Sequence, residues 1–134
     1  MKEFQRIIVS LIAVMFALGV SSQTRDGEEK LNMQNVGHGT HNEYYIPADM
    51  PEVYFDSDEM EIIIVADGFA NHYTVEVNSM VSGLTLIYTQ IRGYGDTIDV
   101  SSLPDGYYQI IITSSNNNMF EGTFLIEKIN RFLR

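Results

Sequence analysis

From Tyr44 onward the apolar residues recur at every second position, with turn-forming residues between the runs. Tyr73, Val75 and Val77 alternate with Thr74, Glu76 and Asn78, the mark of a strand with one face in a core. Phe120, Gly122, Phe124 and Ile126 alternate in the same way with Glu121, Thr123, Leu125 and Glu127. Residues 84–91 and 107–114 are β-branched and aromatic with little polar face. Ile62-Ile63-Ile64-Val65, within 60–66, is apolar on both sides and is predicted to lie centrally in a sheet. Short runs at 53–55 and 97–100 complete seven predicted strands.

The breaks carry turn chemistry. Asp56-Ser57-Asp58, Asp67-Gly68, Ser82-Gly83, Gly93-Tyr94-Gly95, Pro104-Asp105-Gly106 and Asn116-Asn117-Asn118 supply residues that accept positive φ or pre-set a turn. Seven short strands at this spacing predict an all-β fold, an immunoglobulin-like antiparallel sandwich of two sheets. Stacking the sheets buries their alternating apolar faces against each other. A small closed barrel fits the same pattern.

The first stretch does not belong to that domain. Lys2 and Arg6 precede an apolar run over 7–20, followed by Ser21, Ser22 and the polar Gln23-Thr24-Arg25-Asp26. This order is that of a secretory signal peptide, and the run is shorter than the ~20 residues that span a bilayer. Cleavage is expected after Ser22, with Gly19 as the second choice, and no Cys follows to take a lipid. The expected organisation is therefore signal peptide 1–22, flexible leader 23–43 and sandwich 44–134. The leader reads as flexible because Glu28, Glu29, Asn32, Gln34, Asn35, Gly37 and Gly39 leave it little apolar surface to offset ordering. The mature product is expected in the periplasm, on the cell surface or in the medium.

Of 134 residues, removal of 22 leaves 112, enough for a core without staples. With no Cys in the chain, thiolate catalysis and thiolate metal sites are excluded. The full chain carries −10, and Lys2, Arg6 and Glu3 remove a net +1, so the mature form stands near −11. A surface this acidic repels phosphate backbones, which excludes nucleic acid as a partner and suits a basic partner or a cation.

Residues 73–128 resemble the immunoglobulin-like C-terminal sorting domains of type IX secretion. They also resemble a family of small stand-alone secreted domains of unknown function from gut-type bacteria. The matching elements are Val75 and Val77 in a V-x-V strand, a strand over 86–93 ending in Gly93, and the segment 98–108. The core of that segment, L-P-x-G-x-Y, is Leu103, Pro104, Gly106 and Tyr108, and 122–128 fits a closing G-x-F-x-[IV]-x-K pattern. Pro51, Val53, Phe55 and Asp56 fit the opening P-x-V-x-[YF]-x-D of the stand-alone family. The resemblance implies a two-sheet sandwich, export across the inner membrane and no catalytic motif. Sorting domains follow a cargo, and here only the leader precedes the domain, which favours the stand-alone family.

Pro104 and Gly106 also read as a turn without any family: Pro104 fixes φ at the first central position, Gly106 accepts positive φ, and Tyr108 then packs inward. His38 and His41, with Glu43, form the only nitrogen-rich spacing, and His72 is predicted to lie in a distant loop; a metal centre needs three or four converging ligands. Asp56, Asp58, Glu59 and Glu61 are hard oxygen donors of the kind that hold calcium, and the two aspartates are equally turn formers. G-x-S-x-G, the phosphate-cradling loop and H-E-x-x-H do not occur. No catalytic residue, cofactor or metal ligand set is therefore assigned. Of eight tyrosines, Tyr44, Tyr45, Tyr88, Tyr94, Tyr107 and Tyr108 are candidates for a platform that stacks sugars or packs a partner, as well as ordinary strand residues. The tail, residues 129–134, is basic and apolar on an acidic chain. The expected function is non-enzymatic: a secreted or envelope module engaging a protein or glycan, or else a sorting or assembly element.

Overall fold

A computed structural model of the chain describes residues 27–36 and 46–128. Every regular element among them is a strand: β1 Glu28–Lys30, β2 Gln34–Asn35, β3 Glu52–Asp56, β4 Glu61–Val65, β5 His72–Ser79, β6 Thr85–Arg92, β7 Gly95–Asp99, β8 Gly106–Ser114 and β9 Met119–Ile126. No helix of the described residues is long and apolar enough to cross a membrane.

The strands form two antiparallel sheets, one in the order β1-β3-β4-β7 and the other β2-β9-β8-β5-β6. The seven predicted strands are β3 to β9, and their period-two pattern sets which side chains face the gap. Tyr73, Val75 and Val77 of β5 point into it, as do Ile110 and Ile112 of β8 and Phe120, Phe124 and Ile126 of β9. Val53 and Phe55 of β3 and Ile62 and Ile64 of β4 meet them from the other sheet. The Phe124 ring lies 5.1 Å from Phe55 and 5.6 Å from Tyr108, so an aromatic trio joins the layers. β4 sits between β3 and β7, and its outward Ile63 and Val65 are half-buried, in line with its unbroken apolar run.

Residues 28–35, expected within the flexible leader, are instead part of the domain. β1 pairs with β3 and β2 with β9, so the segment crosses from one sheet to the other. Leu31 and Met33 are buried at the crossing. Alternation over Leu31 and Met33 is too short to stand out among polar neighbours, yet two buried apolar residues with backbone pairing on both sides are enough to hold it. Gly122 of β9 makes the space: a Cβ there would come within 2.6 Å of the Met33 sulfur. Leader residues 23–26 and 37–43 and the expected signal peptide lie outside the described residues.

Candidate functional site

Leu103, Pro104, Gly106 and Tyr108 form the corner that leads into β8. Leu103 is buried, Gly106 has a φ of 148°, and the buried Tyr108 side chain donates from its hydroxyl to the Pro104 carbonyl at 2.6 Å. Burial first, and the nearby Asp105 charge second, raise the phenol's pKa. The bond returns the start of β8 to the turn before it, a structural device that presents no reactive group.

The acidic turn is also structural. Asp56 is buried, and one of its carboxylate oxygens accepts the backbone N–H groups of Asp58 and Glu59. The next residue, Ser57, donates its backbone N–H to the Gly27 carbonyl at 2.8 Å, tying this turn to the start of β1. Among the described residues no three His, Asp or Glu side chains come together to hold a metal ion. His72, expected in a loop, is the first residue of β5, paired with Arg92; His38, His41 and Glu43 lie outside the described residues.

The candidate tyrosines separate. Tyr108 faces the core and Tyr44 and Tyr45 lie outside the described residues, while Tyr88 and Tyr107 stand exposed on the outer face of the five-stranded sheet. Tyr88 pairs with Glu76, whereas the Tyr107 carbonyl accepts from the N–H of Met80, two strands away and four residues along. Strand spacing and rise separate them by roughly 16 Å, too far for one sugar ring to stack on both. Tyr94 lies apart from both, in the turn between β6 and β7.

Tyr94 belongs to a cluster at one end of the sandwich. The 46–51 segment, the β4–β5 loop over 66–71, the β6–β7 turn and the β8–β9 turn over 115–118 all meet there. At their centre is Asp49, a carboxylate only 4% exposed. Asn116 donates its side-chain amide to Asp49 at 3.0 Å and to the Phe69 carbonyl at 3.3 Å. Asn118 donates to both oxygens of Asp49, at 3.1 and 3.2 Å. From below, the buried Tyr73 hydroxyl donates to the Asp49 carbonyl at 2.7 Å. Burial, then the charges of Asp49 and Asp67, push that phenol from 10.0 up to about 12. The Ser115 hydroxyl accepts the Asn71 N–H at 2.8 Å, and the Gly68 N–H reaches the Gly93 carbonyl at 3.1 Å. Gly93 is required here, because a Cβ on it would collide with the Ala70 carbonyl.

This network fixes four chain segments while leaving large apolar side chains in water. Phe69 is 62% exposed and Tyr94 75% exposed, with Ile46 also projecting. The Tyr94 ring packs over Gly68, where any Cβ would meet it at 2.6 Å. The sequence pattern does not show this site. Asn116 to Asn118 read only as a turn, and Asp49 lies in a segment with no periodicity. An isolated Phe between Gly68 and Ala70, in a loop, was the available signal.

Two antiparallel sheets packed through alternating apolar faces, a tyrosine bonded back across the turn before its strand, and loops gathered at one end define an immunoglobulin-like β-sandwich. Among solved structures, a DUF3244 family protein from Bacteroides vulgatus, itself an immunoglobulin-like β-sandwich, matches with a TM-score of 0.60 at 15% identity. The match covers 75% of this chain and 99% of that one. At that identity the likeness establishes the fold, an immunoglobulin-like sandwich of the kind found in a domain-of-unknown-function family, and does not extend to the type IX sorting domains. No protein family matches the sequence, and no curated protein does.

Proposed function

We propose that this chain is a non-enzymatic binding module, exported by its signal peptide to the envelope or beyond, which engages a protein or glycan partner with its loop end. The observation that carries this reading is the exposure of Phe69, on a loop tied to the buried Asp49 network, and of Tyr94, on a turn held by backbone bonds to that loop. Aromatic side chains on a fixed backbone are efficient anchors, because little freedom is lost when a partner covers them. The stand-alone family resemblance and the fold shared with the Bacteroides vulgatus protein support the same class. The net charge of −10 favours a partner with a basic rim. The apolar and basic 129–134 tail supports a second reading, a sorting or assembly element whose end is read by export machinery.

The test uses residues 23–134 as bait against envelope extracts and on a glycan array, beside a Phe69→Ser, Tyr94→Ser double variant. The wild type is expected to retain a partner that the variant binds at least about tenfold more weakly, about 1.4 kcal/mol, with an unchanged melting temperature. Retention by both proteins alike would remove the loop end as the binding surface.

A further inference from the structure

The two sheets have four edges, formed by β1 and β7 in one and β2 and β6 in the other. Three are blunted in the way soluble sheets protect themselves from edge-to-edge pairing. β1 is three residues long and all charged, β2 is two residues long, and β7 carries Asp96 and Asp99 within five. β6 has none of these protections over most of its length. It runs for eight residues with no proline, and Arg92 at its very end is its only charge.

Among the described residues both faces of β6 are also largely uncovered from Thr85 to Gln90, with Ile91 near its end buried in the core. Tyr88 is 69% exposed on the outer side. On the inner side Thr89, opposite the fully buried Val75, is exposed, and Ile87 is half-buried. The four-stranded sheet therefore stops short of β6. A register shift lies opposite Val77 and Asn78, after which Ile87 to Arg92 pairs regularly with β5, and among the described residues no strand pairs with its other edge.

The geometry points to a second copy of this chain as the occupant of that edge: β6 pairs antiparallel with its own copy about a two-fold axis, joining two five-stranded sheets into one. Charge selects the partner. Two mature copies each near −11 can meet closely only where acids are absent, and in a chain with 18 Asp and Glu residues the segment from Met80 to Ile91 holds none. An antiparallel strand whose paired residues share a face can place Tyr88 against its own copy and Ile87 against Thr89. Such a dyad buries apolar surface on both faces and satisfies the unpaired backbone groups of both edges. This inference does not depend on the loop-end reading, whose side chains lie beyond Arg92.

Analytical ultracentrifugation of residues 23–134 tests it, at concentrations from micromolar to millimolar. The wild type is expected to sediment as a dimer, and Tyr88→Glu, which sets two like charges at the axis, as a folded monomer with an unchanged melting temperature. In a second arm, Tyr88→Cys places the chain's only thiol at the axis, and mild oxidation is expected to give a disulfide-linked dimer. A wild type that remains monomeric over the whole range overturns the proposal, as does a dimer that survives Tyr88→Glu. Failure of Tyr88→Cys to cross-link in a dimeric sample would equally place the interface elsewhere.

Discussion

Asp49 shows how much one polar residue can organise. A carboxylate taken out of water must recover its hydrogen bonds, and here Asn116 and Asn118 supply them from the β8–β9 turn. Asp49→Ala leaves the Asn118 amide without its acceptor and the Asn116 amide with the Phe69 carbonyl alone, and is expected to cost about 1–3 kcal/mol, read as a lower urea midpoint. Tyr73 contributes from the other side. Its folded pKa of about 12 lies above its unfolded value near 10, so its stabilisation is complete below pH 10. That stabilisation is lost as pH rises through about 12, because the unfolded chain gives up the proton first. Tyr73→Phe is expected to flatten this alkaline fall in stability, followed by urea denaturation at a series of pH values. An unchanged alkaline limb would mean that another group sets it. Phe124 and Glu121 lie on opposite faces of β9, so Phe124→Ala is expected to cost ~3–5 kcal/mol. Glu121→Ala loses the amide bond from Gln109 and little else, and is expected to stay within about 1 kcal/mol. Equal midpoint shifts in the two variants would place the strand in the wrong register.

At the scale of elements, the alternation in β5 and β9 was legible because each strand buries one whole face and leaves the other in contact with solvent. The Leu103-Pro104-Gly106-Tyr108 corner was legible because its turn needs those residue types locally. What the pattern could not show was decided by distant contacts. β1 and β2 are too short to display a period, and their place depends on β3, β9 and the space over Gly122. The loop end was hidden for the same reason, since Asp49 meets Asn116 only after the sheets have closed. Deleting residues 23–36 from the mature domain removes the buried Leu31 and Met33 and uncovers the edges of β3 and β9. It is expected to lower the melting temperature by several degrees, in line with about 1.5–3 kcal/mol for each buried side chain. An unchanged melting temperature would return the segment to the status of a leader.

For the whole molecule, we propose that the sandwich is itself the delivered product. β9 lies between β8 and β2 and places Phe120, Phe124 and Ile126 in the core, so clipping it away would open a row of apolar side chains and an unpaired edge. β1 and β2 are held by pairing with β3 and β9, so such clipping would also leave these strands without partners. Intact-mass spectrometry on protein recovered from its native host tests this most directly. The predicted result is a chain that begins near Gln23 and retains residues through at least Lys128. A mature product ending before about Tyr73 would contradict the claim, because the sandwich would then be a disposable signal.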